Sequence, residues 1–288
     1  MPSPARLISE ETYSIPGRLI VTDLSFEVPL NHDNPASKKI HLFGRAVTHN
    51  DRPPAEIGVS SSAAPGDNKP WLVYLHGGPG FGNGLPQDSP LHPVAVSTIP
   101  GDSTDDKVAE VFLTGGIPPV DVDPKEVYQA TFTKLVERNI AYYKKFPGDI
   151  AVVNYIANHI HEQDGIQLPG GGHLTVQRLM TLGLAFGAHD GFQVVHSLLT
   201  RMKLEITQFG HLSRASLSTM ELDVPFDTNP IYAILHEAIY CFGPGVTSNW
   251  AALRAGSQLG VYDWLLEEYP GPVALSEASR KPLFFSGR

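Results

Sequence analysis

Trp71-Leu-Val-Tyr-Leu-His76-Gly77-Gly78-Pro79-Gly80-Phe81-Gly82 changes character halfway along its length. Its first half is apolar, with β-branched and aromatic side chains, and predicts a buried strand over 71–75. Its second half is a loop with glycine at 77, 78, 80 and 82. Glycine lets a backbone come close to a ligand and adopt positive φ, so such a loop can turn bare N–H groups toward an anion. The spacing is not that of a nucleotide site. Gly78-x-Gly80-x-Gly82 lacks the Gly-x-Gly-x-x-Gly interval, and no Gly-Lys-Ser/Thr phosphate loop occurs in the sequence. The plain alternative is a tight strand-end turn that binds nothing.

Upstream of this stretch, residues 18–30 alternate well enough to predict a strand, and residues 39–48 predict its partner. Asn31-His-Asp-Asn-Pro35 forms the turn between them. Residues 50–70 are polar and rich in Pro, Ser and Ala, which predicts a surface loop. Downstream, residues 83–107 show neither helical nor strand period, whereas Val108–Pro119 reads as a second buried strand ending in glycines. From Pro124 the pattern turns helical, with proline at a first-turn position. Val127, Phe132, Leu135, Val136, Ile140 and Tyr143 then recur at helical spacing. Further helices are expected near 149–162, 174–186, 190–203, 229–242 and 258–268, with Gly170-Gly-Gly172 as a break. Leu283-Phe-Phe285 is the one later strand candidate. A boundary therefore falls near 120, and the fold class is α/β.

Composition narrows the function. The 288 residues are 42% hydrophobic and 18% charged, as in an ordinary globular protein large enough for one large or two modest domains. A net charge of −9 without a Lys/Arg cluster speaks against nucleic acid and against an anionic membrane. The single Cys241 allows no intrachain disulfide. Neither a signal-peptide pattern nor a bilayer-length apolar run is present, so a cytoplasmic location is expected.

His76-Gly-Gly-Pro-Gly80 resembles the signature of the proline iminopeptidase (prolyl aminopeptidase) family of α/β-hydrolases. The paired opening strands, the segment Leu113–Pro119 and Leu235-His-Glu-Ala-Ile-Tyr240 resemble it too. The resemblance implies an α/β-hydrolase-type sheet in residues 1–119 and a mainly helical cap in 120–288. It implies a serine-type aminopeptidase, without cofactor, that releases N-terminal proline from small peptides through an acyl-enzyme. The loop His76, Gly77, Gly78, Pro79 and Gly80 would supply the oxyanion hole through backbone N–H groups near Gly77 and Gly78. Glu237 would hold the substrate's free amine, with Tyr232, Tyr240 and Trp250 walling the proline pocket. A solvated helix edge, or a pair with an arginine, is the plain alternative for Glu237.

The catalytic residues of such an enzyme are not identifiable. Its nucleophile needs Gly-x-Ser-x-Gly, because only small residues fit the strained elbow. Ser60 and Ser103 follow Gly58 and Gly101, but Ser62 and Asp105 stand where the second glycine is required. Cys241 has Gly243 after it and Ile239 before it. The interval 83–107 is too short for the strands and helices that would carry the elbow, at roughly 30 residues per βα unit. No Asp follows Asp263 and no His follows His236, so the acid and base are not assigned either. Metal chemistry fits no better. His236-Glu237 meets Tyr240 where a zinc-binding helix needs histidine, and His159 and His161 face different sides of a helix. Two expectations stand: an incomplete or inactive serine aminopeptidase, or a non-catalytic binding protein that keeps the cap pocket.

Overall fold

The computed structural model describes residues 5–16, 19–31, 33–49, 73–74, 81, 84–86, 119, 122–223, 228–262, 264 and 281–286. The loop residues His76, Gly77, Gly78, Pro79 and Gly80 lie outside the described residues. So do most of 50–72 and 87–118, and with them most of both buried-strand expectations. The chain divides into two units, Met1–Gly77 with Gly82–Gly116, and Gly78–Phe81 with Ile117–Arg288.

The first unit contains an antiparallel meander of β1 (Arg6–Ile15), β2 (Leu19–Pro29) and β3 (Lys39–His49). The expected pair 18–30 and 39–48 is β2 with β3, in a register that sets Val21 opposite Val47 and Asp23 opposite Arg45. The latter two form an ion pair at 2.6 Å. In the turn, the Asn31 side chain accepts from the Asp33 N–H and the Asn34 side chain from the Ala36 N–H. These are the local bonds that make Asn a turn residue. β2 is the central strand and buries Leu19, Val21, Thr22 and Leu24. β1 is not legible from its sequence: Ser9-Glu-Glu-Thr12 breaks the apolar alternation, most of the strand is exposed, and the register shifts between Leu7 and Ser9.

The second unit is helical. α1 (Pro124–Lys145) starts where expected, with the Asp123 side chain accepting from the Lys125 N–H at 2.8 Å. Its buried stripe is Tyr128, Phe132, Asn139, Tyr142 and Tyr143. That stripe is rotated from the expected one, leaving Ile140 56% exposed. α2 (Asp149–Glu162) follows. A two-stranded hairpin, β4 (Ile166–Gln167) with β5 (His173–Leu174), then closes around the glycine break. The helix expected at 174–186 is α3 (Val176–Met180) tightening into a 3-10 turn over Thr181–Gly187. α4 (Gly191–Phe209) outruns its expected end and stops at Gly210, whose φ of 74° suits a glycine cap. α5 (Arg214–Asp223) is too polar to have been predicted. The helix expected at 229–242 is α6 (Pro230–Leu235) plus a 3-10 turn, Ala238–Tyr240. Of the helix expected at 258–268, residues 258–262 and 264 form no α-helix and the rest lie outside the described residues; α7 (Ala251–Gly256) precedes this range and was not expected.

The core of this unit joins α1, α2, α3 and α4 around Tyr142, Ile156, Ile160, Leu179, Leu199 and Met202. Residues 281–286 carry no helix or strand, and Leu283, Phe284 and Phe285 are part of this core. Asn139 Nδ2 donates to the Phe285 carbonyl at 2.9 Å, while the Phe285 N–H donates to Asn139 Oδ1 at 2.7 Å. The Trp264 indole donates to the Phe284 carbonyl at 2.9 Å and the Tyr143 hydroxyl to that of Leu283. A Cβ on Gly183 would stand 2.5 Å from the Ser286 carbonyl oxygen, so glycine is required for the close approach. No helix of the described residues is long and apolar enough to cross a membrane.

Candidate functional site

Pro230 opens α6 at its first turn, and the spacing of four puts Tyr232 and His236 on one helix face, rings 5.6 Å apart. Phe81, one residue beyond Gly80 in the chain, meets Tyr232 edge-on at 4.8 Å. From α1, the Tyr128 hydroxyl lies 3.2 Å from His236 Nε2, and the Tyr128 ring is edge-on to Tyr240 at 5.7 Å. Tyr128, Tyr232, His236 and Tyr240 therefore gather about the junction of α6 with the following turn.

Glu237 sits at that junction and is only 4% exposed, which removes the solvated-edge reading. Its two oxygens are held by the start of α7: Oε2 accepts from the Ala251 N–H at 2.9 Å and Oε1 from the Ala252 N–H at 3.0 Å. Free N–H groups at a helix start suit a carboxylate, and α7 has no side-chain cap from its own first residues. Each oxygen accepts one backbone N–H and carries a second lone pair. Tyr240 is half-buried and Trp250 is exposed. The structure thus brings Tyr232, Glu237 and Tyr240 into one neighbourhood, with Trp250 next to Ala251 in the chain. Phe81 and Tyr128 were missed. Tyr128 carried a signal, as part of an apolar helical stripe; Phe81 carried none.

The other titratable groups do not build a rival site. His159 hydrogen-bonds Gln163 at 2.8 Å, and burial, aided by His211, pushes it below the usual histidine range. Among the described residues no group of three or more His, Cys, Asp or Glu side chains could hold a metal ion.

No family model matches the chain. The chain is similar to a proline iminopeptidase of Aeromonas sobria, 28% identical over 345 residues that cover 88% of this chain and 76% of the relative. It is also similar to the proline iminopeptidase aneH of Aspergillus aculeatus, 24% identical over 329 residues that cover 87% of this chain and 70% of the relative. Both alignments are longer than the 288 residues of this chain, so each relative carries residues within the aligned region that have no counterpart here. Two relatives of one name, matched along nearly nine-tenths of the chain, support its resemblance to the proline iminopeptidase family.

Proposed function

We propose that this protein recognises the N-terminal residue of small peptides, proline first, and that these 288 residues carry the recognition half of serine aminopeptidase chemistry. In this reading residues 1–119 are the α/β-hydrolase core and 120–288 the helical cap, working without cofactor in the cytoplasm. The observation that carries it is Glu237, a buried carboxylate whose two oxygens are each fixed by a backbone donor. A prolinium nitrogen has two N–H bonds to offer, one for each oxygen. Tyr232 and Tyr240 would flank the pyrrolidine ring, with Trp250 at the mouth. By the resemblance, the oxyanion role falls to the N–H groups of Gly77 and Gly78 in the loop of His76, Pro79 and Gly80.

The attacking group is the part these residues do not supply. No Gly-x-Ser-x-Gly is present, and the relatives' unmatched residues support a form of the protein in which a further segment would provide it. Without nucleophile, base and acid as a unit, binding and oxyanion contributions alone remain. The second reading, a non-catalytic binding protein, shares the same amine site.

Calorimetric titration of L-prolinamide into the 288-residue chain tests recognition. Saturable binding is expected, falling about ten-fold or more in E237Q, because a hydrogen bond to a charged group contributes about 1.5–3 kcal/mol. Absence of binding by the wild-type chain would end the amine reading. A fluorophosphonate probe added in parallel is expected to leave the intact mass unchanged; a single covalent adduct would instead make this chain a complete serine hydrolase.

A further inference from the structure

Asn249 and Trp250 have φ of 47° and 50°, two consecutive non-glycine residues in the left-handed region. Side chains rarely adopt this backbone, and it persists only where surrounding bonds over-determine it. Here they do so from both sides. Glu237 holds the Ala251 and Ala252 N–H groups that follow the turn. Arg254 reaches back to the carbonyls before it, from Nε to Asn249 at 2.8 Å and from Nη2 to Ser248 at 3.1 Å. The Arg254 N–H also donates to the Trp250 carbonyl at 3.1 Å.

This strained and clamped turn does not bury the indole. Trp250 is 64% exposed while Ala251, the next residue, is fully buried. A helix start could be made from ordinary backbone, so the turn secures the direction of the Trp250 side chain rather than packing. Consecutive Cα atoms are about 3.8 Å apart, so Trp250 begins one step from the N–H that Glu237 holds. Resting on the amine-binding reading of Glu237, we infer that Trp250 is a specificity-determining residue for the substrate's second residue. The indole is a platform for a flat or apolar group joined to the N-terminal proline, and Arg254 is the positioning residue that keeps it presented.

The test compares L-prolinamide with L-proline β-naphthylamide, which adds an aryl group at that second position, by titration into the full chain. Wild type is expected to prefer the naphthylamide. In W250A that preference should fall about five-fold, the scale of one lost aromatic stacking contact. W250F should recover part of it, which a merely structural role for the residue would not predict. R254Q should lower the preference in the same direction, with faster hydrogen exchange of the Ala251 and Ala252 amides. A preference unchanged in W250A, with both ligands still bound, overturns the inference and leaves the amine reading standing. Failure of wild type to bind either ligand overturns both.

Discussion

The strap at 281–286 and the edge formed by α6 and α7 lie in the same helical unit and handle polar groups in opposite ways. Around the strap, polar atoms serve packing. Asn139 matches the Phe285 amide donor to acceptor, and the Tyr142, Tyr143, Phe186 and Phe285 rings stack or meet edge-on within 6.2 Å. The Tyr142 hydroxyl, pushed up by burial first and then by Asp149, remains a donor to that carboxylate, whose other partner is His196 Nδ1 at 2.9 Å. At the α6–α7 edge a buried acid is spent on a strained turn, and Ile231, Ile234, Phe242 and Trp250 stay exposed. No residue of the strap takes a left-handed backbone, whereas Asn249 and Trp250 both do.

The largest effect is expected from breaking the strap side. N139A leaves a buried N–H and carbonyl of Phe285 without their partner, which should destabilise the unit by about 3 kcal/mol in denaturant unfolding. G183A drives a Cβ against backbone rather than a flexible side chain and should cost about 1–3 kcal/mol. If N139A unfolds like wild type, the strap does not secure the unit and the contrast fails. E237Q sharpens the other side. One oxygen still accepts, but the amide NH2 faces an N–H donor, so stability should fall by about 1–2 kcal/mol, less than in N139A, while prolinamide binding suffers more.

Legibility in the sequence divides along the same line. β2, β3, α1, α2 and α4 were readable because period, caps and turn residues agree within each segment. Leu283-Phe-Phe285 was readable as buried but not as unpaired, since its partners are side-chain amides and rings whose positions no period encodes. Glu237 stood out as an acid in an apolar helix. Its actual partners are backbone N–H groups 14 and 15 residues away, which carry no side-chain signature. Asn249 and Trp250 gave no sign of left-handed backbone because neither is glycine. α7 was missed for the same reason: its cap comes from Glu237 rather than from the residues before it.

A pH test separates the packing acids from the site. For Glu205 burial acts to raise the carboxyl, but it is outweighed. The Ser213 hydroxyl at 2.7 Å, the Ser213 N–H at 2.9 Å, Ser216 at 3.0 Å and Arg201 together hold Glu205 below its ordinary value. A depressed carboxyl stabilises the fold above its unfolded pKa, and that contribution is lost as pH falls through the lower folded value. The stability gap between wild type and E205Q should therefore be full at neutral pH and shrink below about pH 4. A gap that grows on acidification would reverse the assignment.

Of two hydroxyls removed from one helix, the second is expected to give the smallest effect on stability. Y143F and Y128F each delete one oxygen from α1, the first on the strap side and the second at the candidate site. The Tyr143 hydroxyl, raised by burial first and by Asp149, donates to the buried Leu283 carbonyl. Its loss should cost about 1–3 kcal/mol. The Tyr128 hydroxyl meets His236 Nε2 at 3.2 Å, and its ring keeps both edge-on contacts without the oxygen. Y128F should therefore cost only about 0.5–1 kcal/mol in unfolding. Its larger signature should be in prolinamide affinity, because His236, next to Glu237 in the chain, loses one of its partners. If Y128F instead destabilises the unit as much as Y143F while leaving affinity intact, the α6 junction is a second packing centre, and the division between the two regions disappears.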